Sequence, residues 1–283
     1  MNMKKITTAL VTGLMGAVTA FAGEAIVMDG STTVGPIAKA FAQYYMSVNK
    51  DVNITVSESG SGNGAKSLLN KKCDIGNLSR FMKDSEFKAC VDAGVFPVAN
   101  VVALDGLPVL VHPGNPVSNL TVEQVRKIYL GEITNWKEVG GADMAIVKIS
   151  RETNSGTYET FQGKVMTYKD AEGKKVEGKM TADTEYVGSN GAVRARVQST
   201  PAAIGYAGIG FIDDTVKPLR INNIEPKLET VKNGSYPIAR PLYMFTDGTP
   251  KMGSHLYNFI NLYLTETGQE LVEEIGFIPV TSY

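Results

Sequence analysis

The sequence contains few of the residues that bind metals or form disulfide networks. It has two cysteines and two histidines in 283 residues. His112 and His255 are far apart and have no partners at the spacing of metal ligands. The sequence therefore predicts neither a metal site nor a cofactor.

The sequence also lacks an excess of either charge. Its 28 Lys and Arg residues nearly balance 29 Asp and Glu, for a formal net charge of −1. Proteins that bind nucleic acids generally present a basic face, so the composition argues against this class. An affinity for anions would have to come from a local site. Apolar residues make up 43% of the chain, which predicts a packed core.

After the first 22 residues, no segment is apolar and long enough to span a membrane. The N-terminus has the pattern of a signal peptide: Lys4 and Lys5, an uncharged stretch over 6–21, and Ala-Phe-Ala at 20–22. We expect cleavage after Ala22 and export to the periplasm. The alternative is an uncleaved anchor, although the stretch is shorter than the roughly 20 apolar residues of a span.

Export to the periplasm affects whether the two cysteines, Cys73 and Cys90, form a disulfide. They are either two separate buried residues or one disulfide, and an oxidising compartment favours the disulfide. We therefore expect a bridge between them.

Strand-like and helix-like segments alternate along the chain, as in α/β proteins with mainly parallel sheets. Residues 24–28 read as a strand and 36–48 as a helix with apolar residues at helical spacing. Thr121 and Gln124 form a capping-box pattern before another helix. We also expect a Gly-rich strand over 204–211 and a long amphipathic helix over 253–274.

Three segments share one design, in which a strand leads through a loop of Gly and hydroxyl residues into a helix. They are residues 30–36 (Gly-Ser-Thr-Thr-Val-Gly-Pro), 59–66 (Ser-Gly-Ser-Gly-Asn-Gly-Ala-Lys) and 151–157 (Arg-Glu-Thr-Asn-Ser-Gly-Thr). A helix N-terminus offers unpaired N–H groups and a partial positive charge, and so favours anions. Each loop alone is more simply a helix cap, but three together indicate a site if they converge.

Two arginines accompany these loops. Arg151 supplies a permanently charged planar fork suited to phosphate or carboxylate. Arg80 follows Ser79 after the strand-like Asp-Ile-Gly at 74–76, and is either a second anion donor or an exposed, solvated side chain. A Walker A loop is the rival interpretation of 60–67, but Ala65 stands where that motif has glycine.

At these segments the chain resembles the PstS phosphate-binding proteins, the type II periplasmic binding proteins of phosphate ABC importers. The resemblance covers nearly the whole chain after residue 22. It includes the run at 120–136 (Leu-Thr-x-Glu-Gln through Ile-Thr-Asn-Trp), Ala-Ile-Gly-Tyr at 203–206 and Gly-Phe-Ile-Pro at 276–279.

The resemblance implies two lobes, joined by a two-strand hinge, that close on an anion without chemical reaction. We expect lobe I at 23–106 plus 239–283, lobe II at 107–238, and hinge strands near 107–112 and 241–245. The implied partners are inorganic phosphate and the inner-membrane permease, for a monomeric protein that is not an enzyme. The phosphate ligands expected from motifs and resemblance are Thr32, Thr33, Ser61, Ser79, Arg80, Arg151, Ser155, Gly156 and Thr157.

At one position this chain departs from the family pattern, and the departure affects which anion we expect it to bind. Many members of the family have an aspartate after the serine of the Asp-Ile-Gly segment, where it accepts the proton of hydrogen phosphate. This chain has Arg80 there, and Glu58 or Asp74 would have to accept the proton instead. Sulfate or another oxyanion is therefore the alternative ligand. A secreted phosphatase-like enzyme, and a sensor or surface interaction protein, are the other function classes.

Overall fold

The computed structural model describes residues 23–281, so the expected signal peptide lies outside the described residues. The strands are β1 (Glu24–Gly30), β2 (Val52–Ser57), β3 (Ile75–Leu78), β4 (Pro97–Gly106), β5 (Val109–Val111), β6 (Asn119–Leu120), β7 (Val147–Arg151), β8 (Thr167–Lys169), β9 (Lys175–Glu177), β10 (Glu185–Val187), β11 (Ala203–Tyr206), β12 (Lys217–Pro218), β13 (Arg220–Ile221) and β14 (Ala239–Asp247). The helices are α1 (Gly35–Val48), α2 (Ser61–Leu69), α3 (Asp84–Asp92), α4 (Val122–Leu130), α5 (Gly156–Phe161), α6 (Asn190–Gln198), α7 (Leu228–Lys232), α8 (His255–Ile260) and α9 (Glu266–Glu274). None of the described helices is long and apolar enough to cross a bilayer.

Two five-stranded sheets, each packed against helices, form the two lobes. The first has the order β2-β1-β3-β14-β4 and the second β10-β7-β11-β5-β12. In the first sheet β1 is parallel to β2 and β3, whereas β14 is antiparallel to β3 and β4. In the second, β7 is parallel to β10 and β11, whereas β5 is antiparallel to β11 and β12. The sheets are therefore mixed rather than mainly parallel, because β5 and β14 run against their neighbours.

The chain passes between the sheets twice, at neighbouring points. It leaves the first sheet after β4 and returns just before β14, and the Leu107 N–H donates to the Ile238 carbonyl at 2.7 Å. The strands expected to form the hinge, near 107–112 and 241–245, lie mostly inside the sheets. Residues 109–111 pair with β11 and β12, and residues 241–245 pair with β3 and β4, so the crossings lie just outside both strands.

Each lobe has its own apolar core. Helix α1 buries Ile37 and Phe41 in the same apolar cluster as Ile26 and Met28 of β1, as its helical spacing predicts. In the second lobe, Phe161 stacks on Tyr206 with ring centroids 3.8 Å apart. The rings of Tyr129, Phe161 and Tyr206 lie in the same core. Since Phe161 ends α5 and Tyr206 ends β11, this stack joins the ends of those two elements.

The structure confirms the capping box predicted at Thr121 but divides two of the long elements that the sequence predicts. Thr121 Oγ1 accepts from the Gln124 N–H at 3.0 Å, and the Thr121 N–H donates to Gln124 Oε1 at 2.8 Å. The long helix expected over 253–274 is instead α8, a 3₁₀ turn and α9. It breaks because Thr265 is extended and its side chain caps α9 by accepting from the Gly268 N–H. The strand expected over 204–211 ends at Tyr206 and is followed by a 3₁₀ turn.

Cys73 and Cys90 are both free and buried, so the expected disulfide is not formed. They pack in one apolar cluster with Leu68, Leu78 and Phe245. Burial raises the pKa of the Cys73 thiol to about 12. Both thiols act here as small apolar side chains between α2, α3 and the first sheet.

Candidate anion-binding site

The three helix-start loops meet between the two sheets. Loops one and two begin α1 and α2 beside the first sheet, and loop three begins α5 beside the second. Thr33 Oγ1 lies 3.0 Å from Thr157 Oγ1, and the Gly62 N–H donates to the Asn154 carbonyl at 3.0 Å. The convergence on which the sequence hypothesis depended is present in the structure.

The second loop and the end of β3 bring two serines to the same point. Ser61 Oγ lies 3.2 Å from Ser79 Oγ and accepts from the Ser79 N–H at 3.1 Å. Gly156 of the opposite lobe closes over them, since a β-carbon there would lie 2.5 Å from Ser61 Oγ and 2.6 Å from Ser79 Oγ. Only glycine lets the start of α5 approach so closely.

Ser155 has a capping role in this arrangement. Its Oγ accepts from the N–H groups of Thr157 at 3.1 Å and Tyr158 at 3.4 Å. Since those bonds occupy its acceptor positions, its hydroxyl proton is left to donate. The plain-cap interpretation is thus correct for Ser155, and does not prevent it from also donating to an anion.

Arg151 ends β7 and is 1% exposed. Its Nε donates to the Val187 carbonyl at 3.2 Å, and its Nη2 donates to the Gly188 carbonyl at 2.8 Å and Thr32 Oγ1 at 3.2 Å. Its Nη1 is buried and has no hydrogen-bond partner among the described residues. Burial lowers the pKa of the guanidinium to about 10, so the group stays charged at neutral pH. One side of the fork is held in place, and a buried cationic N–H group is left to bind an anion.

A buried ion pair that sequence reasoning missed lies beside Arg151. Arg240, in β14, donates to Asp105 Oδ2 from Nε at 3.0 Å and from Nη2 at 2.8 Å. The same Nη2 contacts Thr157 Oγ1 at 3.0 Å and Thr33 Oγ1 at 3.3 Å. In the sequence, the one indication of this ion pair is that a charged residue lies at one end of each of two apolar, strand-like segments.

Cationic and amide donors occupy the acceptor positions of the threonine hydroxyls. Thr33 Oγ1 accepts from Asn190 Nδ2 at 2.8 Å and from Arg240. Thr32 Oγ1 accepts from Arg151 and, at 3.4 Å, from Asn190. A hydroxyl has one proton and two acceptor positions, so Thr33, which already accepts twice, donates to Thr157, and the protons of Thr32 and Thr157 are left to donate. The site is therefore rich in hydrogen-bond donors, which suits an oxyanion.

Arg80 does not face this site, and its assignment as a ligand was wrong. Its Nη1 and Nη2 donate to the two oxygens of Glu86 at 2.7 Å each, and Nη1 also donates to the Phe81 carbonyl at 2.9 Å. Its Nε forms an ion pair with Glu159. Glu86 accepts from both terminal nitrogens of Arg80 and the Glu159 carboxylate lies against its Nε, so the guanidinium is neutralised by carboxylates rather than left for an anion.

Both carboxylates suggested as proton acceptors already have partners within the protein. Glu58 pairs with Lys39, at 2.9 Å. Asp74 Oδ2 accepts from the Val27 N–H of β1 at 2.8 Å. Those contacts account for both groups without a ligand.

Comparison with known proteins identifies the family. The model of the PBP superfamily domain matches residues 16–267. The chain is also 32% identical to the phosphate-binding protein PstS of Borreliella burgdorferi, over 90% of this chain and 90% of that protein. This chain is a PstS-type member of the PBP superfamily. The family resemblance seen in the sequence is confirmed.

Solved PBP structures agree with the assignment. A putative phosphate ABC transporter substrate-binding protein from Clostridium perfringens, with bound phosphate, superposes with a TM-score of 0.81. It is 33% identical, over 91% of this chain and all of that one. An ABC-type phosphate transport receptor from Vibrio cholerae has a TM-score of 0.72 and 30% identity, over 89% and 99% of the two chains. The two-lobed α/β fold is thereby confirmed, and these relatives are named as binding or transport proteins rather than enzymes.

Proposed function

We propose that this PstS-type protein captures inorganic phosphate between its lobes outside the cytoplasm and presents it to the membrane permease of an ABC importer. The observation that carries the proposal is the buried Arg151 Nη1, which has no partner among the described residues and lies among donor hydroxyls. A buried cation is costly unless an anion pairs with it. The names of the relatives support phosphate as that anion.

The proposed lobes are residues 23–106 with 239–281, and residues 107–238, joined at the two adjacent crossings. Thr32, Thr33, Ser61 and Ser79 would hold the anion from one side. Arg151, Ser155, Gly156 and Thr157 would hold it from the other. Because both lobes contribute donors, the anion favours the closed arrangement through a shift of population.

The serines lack the surroundings of a nucleophile. Neither described histidine contacts Ser61 or Ser155: the His112 ring accepts from the Gly114 N–H, and His255 contacts Tyr45 and Asp51. A serine nucleophile needs a base within hydrogen-bond reach. The arrangement therefore supports capture without reaction.

Titration calorimetry with phosphate, arsenate and sulfate tests the proposal. We expect phosphate to bind with one anion per chain, and arsenate, which has the same shape and protonation, to compete with it. The absence of heat with all three anions would refute anion capture. Tight sulfate binding without phosphate binding would keep the site and refute the ligand.

Replacing Gly156 by alanine should weaken phosphate binding by roughly 5- to 150-fold, the effect of about 1–3 kcal/mol of overpacking. The added methyl group would collide with Ser61 Oγ and Ser79 Oγ and keep α5 away from them. Calorimetry measures the affinity. Gly163→Ala is the control, because a β-carbon there meets nothing within 4 Å. Equal affinities in the two variants would mean that α5 does not approach the serines when phosphate is bound.

A further inference from the structure

A cluster of four charged residues, here called the clasp, crosses the cleft beside the site. Arg80 and Lys83 lie between β3 and α3, Glu86 lies in the first turn of α3, and Glu159 lies in α5 of the other lobe. Glu159 pairs with Arg80 through Oε2 and with Lys83 through Oε1, the latter at 3.0 Å. Glu86 accepts two further hydrogen bonds from Arg80, one from Nη1 and one from Nη2. The clasp contains two positive and two negative charges.

The Arg80–Glu159 pair of the clasp is shielded from water, whereas the Lys83 side chain is 52% exposed. The side chains of Arg80 and Glu159 are 9% and 17% exposed, whereas ordinary surface pairs such as Lys88–Asp92 are mostly exposed. Exposed pairs contribute little to stability, while shielded ones are screened less by solvent and salt. Among residues 23–281, the ion pairs that join the two lobes are both made by Glu159.

The clasp is attached directly to the segments that would hold phosphate. Arg80 is the residue after Ser79, and Glu159 lies two residues after Thr157 on the short helix α5. When α5 approaches the serines, it therefore carries the Glu159 carboxylate to Arg80. Moving α5 away would separate two carboxylate oxygens from their cations.

We propose that Glu159 is a closure residue, which holds the lobes together through Arg80 and Lys83 and sets the rate of phosphate release. This inference rests on the proposed function. The residue acts on the equilibrium between open and closed lobes and does not touch the anion. Arg80 serves as the receptor for Glu159 rather than as a phosphate ligand.

The proposal and its simplest rival predict opposite signs. If the Glu159 carboxylate acted only through its negative charge near a bound anion, removing that charge would strengthen phosphate binding. If it holds the lobes closed, removing it weakens binding. Glu159→Gln keeps the shape of the side chain and removes the charge.

We expect Glu159→Gln to speed phosphate release by about 5- to 20-fold, a typical size for coupling between a contact and a conformational equilibrium. The association rate should change less than about twofold, because encounter precedes closure. Stopped-flow displacement gives the release rate, and calorimetry gives the affinity. Salt should accelerate release modestly in the unmodified protein, because the Lys83–Glu159 pair is half-exposed and therefore screened, and should not accelerate it in the variant, which lacks that pair.

Two further variants make the test decisive. Lys83→Met breaks only the second pair and should speed release by a smaller factor in the same direction. Glu185→Gln, the control, breaks an exposed pair with Arg196 inside one lobe and should leave the release rate unchanged. Tighter phosphate binding by Glu159→Gln, or release at the rate of the unmodified protein, would overturn the proposal.

Failure of the phosphate assignment and failure of the clasp can be told apart. If the unmodified protein does not bind phosphate, the ligand assignment fails, and the clasp is then tested by small-angle X-ray scattering without ligand. The Glu159→Gln variant should have a larger radius of gyration than the Glu185→Gln control, because its lobes open more often. Equal radii would overturn the clasp.

Discussion

Replacing Arg151 by methionine is expected to reduce phosphate affinity by roughly 100- to 4,000-fold, the effect of losing about 3–5 kcal/mol from a buried charged contact. Methionine fills much of the same volume but has no charge and no N–H groups. The bound anion would then be buried without its cation, and Thr32 would lose the donor that orients its hydroxyl. Calorimetry with phosphate measures the loss.

The same substitution should affect the stability of the ligand-free protein far less. A buried arginine without a carboxylate partner is unfavourable in the absence of an anion, and apolar replacements of buried charges are often neutral or stabilising. We therefore expect a melting temperature without phosphate that is unchanged or higher. Phosphate should raise that temperature for the unmodified protein but not for the variant.

Arg126→Met is the matched control for this prediction. Arg126 lies in the same lobe and makes a cation–π contact with Tyr168, with 4.2 Å between Cζ and the ring centroid. The control removes the same charge from the chain, so it corrects for any long-range electrostatic effect. A similar affinity loss in both variants would contradict the assignment of Arg151 as the anion's cation.

The Asp105→Asn variant should be destabilised by about 3–5 kcal/mol, because the buried Arg240 loses its counter-ion. For a chain of this size the melting temperature would fall by roughly 6–20 °C. Asp105 is fully buried and holds Arg240 with two hydrogen bonds. Thermal unfolding without ligand measures the loss.

The double variant Asp105→Leu with Arg240→Met separates stability from binding. Replacing both members of a buried ion pair by apolar residues restores much of the stability. Phosphate affinity should stay low, since Thr33 and Thr157 have lost the cation that occupies their acceptor positions. Recovery of full affinity would show that Arg240 only supports the fold.

Much of the site could be predicted from the sequence because its parts are local. Loops with glycine, hydroxyl residues and a following helix are recognisable within seven or eight residues, and so is the arginine that ends β7. The capping box at Thr121 was predicted for the same reason. Breaks inside long periodic segments, as at Thr265, were missed because a cap inside an apolar pattern leaves the periodicity intact.

Partners across the fold could not be predicted in this way. Arg240 and Asp105 are 135 residues apart in sequence, and they meet only because β4 and β14 are neighbours in the first sheet. Arg80 looked like an anion ligand because it follows Ser79. It is occupied instead by Glu86 and by Glu159 from the other lobe.

The sequence alone therefore determined the α/β class and the three loops with Arg151, because helix caps and strand-to-helix turns depend on adjacent residues, and its resemblance to PstS proteins indicated the family. Only the tertiary structure decided which charged groups are free to meet an anion and which neutralise one another. It also decided that Cys73 and Cys90 are free thiols. The physical reason is that a charged or thiol side chain takes its role from its spatial neighbours, and those neighbours are set by the packing of distant strands and helices.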